Sequence, residues 1–254
     1  MRNVSRLTGV ACGAAALFAF GAGPALAATG SVHANLRPVA ENGVDGSGTA
    51  MVKVNGNSIT VTMAAMGLLA DSPHAAHIHF AAEARHECPT ASDDSDGNGR
   101  LNTTEGGPAY GDIVVSLTKT GDTSPDSGLA VDRFDTAKGG EISYERGSIK
   151  VSDKVAKAIA DGQSVVVIHG VDHNHDGKYS GKAKSDLNPD LPTEATDPAL
   201  CGALTTAPNG GMATGAGGAA AAGPNAAMLA LGGGALAAAA ASGVVLVRRS
   251  RTQA

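Results

Sequence analysis

The chain has 254 residues, a formal net charge of −5, 3% aromatic residues and no Trp. That length leaves room for one or two domains. The acid excess and the scarcity of aromatics exclude a nucleic-acid platform built on phosphate neutralisation and base stacking. Arg2, Arg6, Arg248, Arg249 and Arg251 all lie in the two ends, which carry no acid. The central part therefore holds 14 basic against 24 acidic side chains and stands at −10. Such a balance suits a solvated exterior or cation binding.

Residues 1–28 read as a signal peptide. Arg2 and Arg6 form the positive start, Val10 to Ala22 the apolar run, and Ala25-Leu26-Ala27 the small-x-small cleavage signal. The alternative is an uncleaved anchor. The following segments alternate with a period of two, which predicts strands at Ser31–Val39, Ala50–Val54 and Ser58–Met66, with the turn Asn55-Gly56-Asn57 between the last two. Further strands are predicted at Ala75–Phe80, Asp112–Leu117, Glu141–Tyr144 and Ser164–His169. One helix is predicted over Asp153–Ala160, with Ser152 as its cap and Gly162 as its stop. Many short strands and one short helix give an all-β domain, an antiparallel sandwich or barrel, over residues 29–204.

Two kinds of residue could carry chemistry. His77 and His79 sit two apart on a predicted strand and so project to one face, where paired imidazoles make a transition-metal half-site or merely a solvated pair. His169 ends the run Val165-Val166-Val167-Ile168. The loop Asp94 to Glu105 fits D-x-[DN]-x-[DN]-G-x₅-E at every fixed position. Side-chain oxygens of Asp94, Asp96, Asn98 and Glu105 and the carbonyl of Arg100 would then hold calcium. No flanking helix pair is predicted, and the alternative is an acidic surface loop. Asp172, Asn174 and Asp176 repeat the opening half of that motif, but Ala183 stands at position twelve.

Behind the domain, residues 205–225 form a Gly/Ala-rich stalk. Residues 226–247 are uncharged and, at about 1.5 Å per residue, reach roughly 33 Å, enough to span a membrane. Residues 248–254 are a basic tail of the kind that stays cytoplasmic. The expected address is the cell surface, anchored by the C-terminal helix. Cleavage of the leader would leave two cysteines, Cys88 and Cys201, in an oxidising compartment. The simplest reading is one disulfide; two free thiols is the other.

Taken together, these motifs resemble the copper/zinc superoxide dismutase superfamily over residues 31–204. Ala75-Ala76-His77-Ile78-His79 followed by Cys88 is similar to its G-F-H-x-H signature. Val166-Val167-Ile168-His169-Gly170 is similar to its V-V-H strand end, and Leu200-Cys201-Gly202-Ala203-Leu204 to its A-C-G-V-I. Residues 31–79 also resemble the opening of CHRD-type extracellular domains. The resemblance implies a Greek-key fold, copper on His77, His79 and His169, and superoxide or metal ions as partners. It also implies what is missing. No His lies between Cys88 and His169, so the bridging and zinc ligands are absent and no zinc is expected. Pro198 stands where the family has its active-site Arg. His74, His86, His173 or His175 would have to supply any fourth copper ligand. The expected function is a zinc-free, copper-dependent dismutase, or a non-catalytic CHRD-like copper or calcium module.

Overall fold

The computed structural model describes residues 27–206. The expected signal peptide up to residue 26, and the expected stalk from residue 207, membrane segment and basic tail, lie outside the described residues. Among the described residues no helix is long and apolar enough to cross a membrane.

The described chain is mostly β-sheet, curled into an antiparallel half-barrel. Its strands are β1 (Thr29–Pro38), β2 (Ser47–Asn55), β3 (Ser58–Met66), β4 (Pro73–His74), β5 (Ala76–His79), β6 (Ile113–Ser116), β7 (Asp135–Thr136), β8 (Ile142–Lys150), β9 (Val165–His169), β10 (Pro198–Ala203) and β11 (Thr205–Thr206). The main sheet runs β6-β5-β9-β10-β1-β2-β3-β8, with β11 also on β1; β4 and β7 form a separate pair. Every strand predicted from alternation is present. β1, β2 and β8 extend beyond their predicted bounds, and β10, β11 and the small β4–β7 pair are additions. β10 and β11 continue one register along β1, from Arg37↔Cys201 to Val32↔Thr206.

Alternation explains the core. Val32, Ala34 and Leu36 of β1, Ala50, Val52 and Val54 of β2, and Ile59, Val61 and Met63 of β3 all point into the curl. Ala76 and Ile78 of β5, and Val166 and Ile168 of β9, join them there. Helix α2 (Asp153–Ala160) lays Ala156 and Ile159 on the same core, and its N-terminus is capped by the Ser152 hydroxyl, which accepts from the Val155 N–H. The two outer strands do not pair. Instead the Thr118 carbonyl, just past β6, accepts from the Tyr144 hydroxyl at 3.2 Å and from Arg146 Nη1 at 2.6 Å, and Arg146 Nη2 reaches the Gly121 carbonyl. Side chains of β8 thus span the opening of the curl.

β9 is buried at all five positions, which its unbroken apolar run requires. Its second face, with Val165 and Val167, packs under Val39, Leu101, Tyr110 and Cys201. This outer layer is covered by helix α1 (Thr103–Tyr110), which sequence reading did not predict. The cover is fixed covalently, since Cys88 and Cys201, 113 positions apart in sequence, are disulfide-bonded with Cα atoms 5.7 Å apart.

Two stability changes are expected. Reducing the disulfide lowers the urea midpoint by the equivalent of about 2–5 kcal/mol. Arg146→Ala costs about 1–3 kcal/mol because the carbonyl of the buried Thr118 loses a charged donor. Chemical unfolding of each form, followed by far-UV circular dichroism, measures both.

Candidate metal centre

β5 and β9 are antiparallel neighbours with His77 opposite Val167 and His79 opposite Val165. Ile78 enters the core, so both flanking imidazoles face outward, as their spacing predicts. His169 lies two residues beyond Val167 on the same face, and its N–H is tied to the Ala75 carbonyl at 2.8 Å. The structure therefore brings His77, His79 and His169 together, each almost fully buried, with one ring nitrogen from each within 4.8 Å of the others.

The tautomers follow from the acceptors. His77 Nε2 lies 3.0 Å from the Gly128 carbonyl, His79 Nδ1 2.9 Å from that of Gly111, and His169 Nδ1 2.6 Å from that of Thr196. A carbonyl only accepts, so each of these nitrogens is the N–H of a neutral ring. The lone pairs are left on His77 Nδ1, His79 Nε2 and His169 Nε2, and these three atoms have no hydrogen-bond partner and almost no solvent contact. Gly111 is needed for one of these contacts. Its φ of 88° is left-handed, and a Cβ there would come within 2.4 Å of the Ala81 nitrogen.

Burial keeps the rings neutral. It lowers the His79 pKa to about 3, with the nearby His169 adding to the effect, and lowers that of His169 to about 4. His77 is pushed well below 6.5 by burial first and by its two histidine neighbours second. Three clustered, buried, neutral imidazoles, each with one unpartnered ring nitrogen, are an N₃ donor set suited to copper, zinc, iron or nickel. A metal bonded at about 2.0–2.1 Å would supply the partner that those nitrogens lack. The residues present fit such an ion. Tyr110 packs edge-on against His79 at 4.6 Å between ring centroids, and Phe134 against His77 at 5.3 Å.

None of the four suggested additional ligands joins this cluster. His74 is held between the His169 and Leu69 carbonyls at 2.7 and 3.1 Å. His86 reaches the Ala81 carbonyl and stacks on Phe80. His173 pairs with the buried Asp197 at 2.8 Å, and His175 is exposed. Pro198 lies beside His169 in register, so no guanidinium issues from that position.

The acidic loop also converges. Oxygens of Asp94, Asp96 and Glu105 lie within 4.8 Å of one another. Asp94 accepts from the N–H groups of Gly97, Asn98 and Gly99, and these bonds, that of Gly99 foremost, hold its carboxyl below the ordinary range. Glu105 is the third residue of α1 and closes a capping box with Asn102; its other oxygen accepts from Ser95 and Asp96. No helix pair flanks the loop; a single helix, α1, begins within its last residues, and only a 3₁₀ turn, Ala91–Asp93, precedes it. The helix was missed because Gly106, Gly107 and Pro108 are poor helix formers; the capping box was the available signal. The second loop repeats the geometry. Asp172 accepts from Asp176 and Gly177 N–H, as Asp94 does from Asn98 and Gly99, and Gly99 and Gly177 have φ values of 76° and 82°. Among the described residues no third carboxylate converges with Asp172 and Asp176. Arg100 and Asn98 are exposed on the first loop.

No protein-family model matches the sequence, and no curated protein matches it.

Stability of the metal-free protein should fall as pH drops below 6.5. The unfolded histidines take up protons there, while the folded ones stay neutral down to about 4 for His169 and about 3 for His79. His79→Leu should reduce the proton uptake on unfolding by about one per chain in this window, read from urea midpoints between pH 7 and 4.5.

Proposed function

We propose that this chain is an exported, membrane-anchored, metal-binding domain of the superoxide dismutase-like type, holding copper on His77, His79 and His169. One observation carries the reading. Three buried imidazoles spend their N–H groups on fixed carbonyls, keep three unpartnered lone pairs, and stand close enough for one ring nitrogen of each to lie within 4.8 Å of the others. Acceptors of that kind orient ligand rings and raise their basicity. The resemblance in His77-Ile78-His79, the strand end at His169 and the Cys88–Cys201 closure supports the Greek-key superfamily and copper as the metal. Copper also stands at the top of the divalent affinity order. The disulfide supports export, and the leader and C-terminal apolar run support a surface address.

When bound, copper would supply one-electron exchange between its two oxidation states. The chain's own contribution is to hold three neutral nitrogens, keep water away from them, and fix their tautomers. Among the described residues, those lining the cavity beside the cluster include no cation to draw an anion in. The cavity above the cluster is lined by His77, His169 and mainly apolar groups, with neither Lys nor Arg among them. Superoxide turnover is therefore slow, and the non-catalytic CHRD-like copper module is the limiting case of the same reading. A second site is favoured by a separate observation, the convergence of Asp94, Asp96 and Glu105. Calcium there would be held with help from Asn98 and the Arg100 carbonyl. Asp172, Asn174 and Asp176 would bind it more weakly.

The full chain is loaded with copper, freed of excess metal, and assayed for copper by mass spectrometry and for superoxide consumption on one sample. About one copper per chain is expected, lost in His169→Ala. The superoxide rate constant should fall well short of the diffusional ceiling of about 10⁹ M⁻¹s⁻¹. No retained copper overturns the reading. Calcium at about a hundred times its dissociation constant should add about 2.7 kcal/mol of stability, and Asp96→Asn should remove most of that gain in a thermal melt.

A further inference from the structure

A cavity of about 360 Å³ lies over the outer side of His77 and His169. Its walls come from the turn at residues 125–131 and from the segment 187–196. Four large hydrophobic side chains are exposed among the described residues, and three of them, Leu129 at 39%, Val131 at 39% and Leu187 at 45%, line this one cavity. Leu191 and Ile113 continue the apolar wall. Clustered exposed apolar side chains around a concavity of this size are the usual signature of a small-molecule site.

The polar groups of the lining are already committed. His77 and His169 donate to the Gly128 and Thr196 carbonyls, the Thr103 hydroxyl to the Thr196 carbonyl, and the Thr196 hydroxyl to Ser185. The lining charge is the exposed carboxylate of Asp126, with no cation to oppose it. An anion therefore finds repulsion and no donor. A strongly hydrated molecule would lose its water without replacement. An uncharged ring gains apolar contact, and a hydroxyl on that ring can donate to Asp126.

We propose that this cavity binds a small uncharged molecule of the phenol class, ring inward against Leu129, Val131 and Leu187 and hydroxyl outward to Asp126. The inference goes beyond the copper reading and does not rest on it, since the cavity is lined by the Gly128 and Thr196 residues that accept the histidine N–H groups and exists without the ion. Phenol would sit beside the covered face of the two histidines.

Titration of the full-length, metal-free chain with phenol, followed by methyl resonances in NMR, tests this. Saturable binding with a dissociation constant on the order of 1 mM is expected, with shifts concentrated on the methyls of Leu129, Val131 and Leu187. Benzoate at the same concentrations should leave them unmoved. Leu187→Asp, a change at an exposed position, should weaken phenol at least tenfold while the remaining methyl spectrum stays folded. Non-saturating shifts spread over the whole domain, equal response to benzoate, or unchanged affinity in Leu187→Asp would each overturn the proposal. Repeating the titration with copper(I) added separates the two readings. A chain that takes up phenol and no copper sinks the metal assignment alone, and one that keeps copper and ignores phenol sinks this one alone.

Discussion

Everything around the centre depends on how three buried imidazoles dispose of their protons. A neutral ring in an apolar layer must give its N–H to something, and here each gives it to a backbone carbonyl on a different segment. Gly111 follows α1, Gly128 ends a 3₁₀ turn, and Thr196 precedes β10. The histidines therefore hold their own cover in place, and the cover in turn decides which nitrogen stays free. Loosening one of the three segments would release a ring as well as a loop. The sheet supplies only the starting point: two residues on β5 and one on β9 that share a face.

Much of the fold was legible because its signal is local. Period-two runs marked β1 to β3, an unbroken apolar run marked β9, and the cap at Ser152 and stop at Gly162 marked α2. The His77–His79 pair and the Cys88–Cys201 pair were legible as chemistry and assemble as read. What was not legible is long-range or carried by backbone. The acceptors at Gly111, Gly128 and Thr196 act through carbonyls, which every residue has, so nothing in their side chains marks them. Helix α1 runs against its own propensities at Gly106, Gly107 and Pro108 and is stabilised by a capping box and by the buried Tyr110 and Ala109. The spare histidines also mislead when counted as ligands. His74, His86 and His173 are each absorbed by a carbonyl or a carboxylate already present.

The acid excess is not spread evenly in its consequences. Two loops of like sequence, Asp94 to Gly99 and Asp172 to Gly177, fold to the same pattern of side-chain carboxylate accepting from successive N–H groups. Only the first gains a further carboxylate, because α1 places Glu105 behind it. The second instead leads by way of His173 to Asp197, whose other oxygen accepts from the Thr193 hydroxyl. That short network adjoins Thr196, the residue whose carbonyl orients His169. One loop gathers three carboxylates, and its twin is tied through His173 to the network beside Thr196.

The pairing of β1 with β10 and β11 has a consequence in time. The first strand of the domain finds its second neighbour only in the last residues, Arg37 with Cys201 and Val32 with Thr206. Contacts that far apart in sequence close slowly, because the loop between them must be organised before they reward it. A chain emerging from its N-terminus can form the β1-β2-β3 meander early, but the sheet stays open at β1 until residues 198–206 arrive. Cys201 and the carbonyl of Thr196 arrive with them. The covalent tie and the last orienting contact of the histidine cluster are thus both late events, and the centre matures only once the domain is complete.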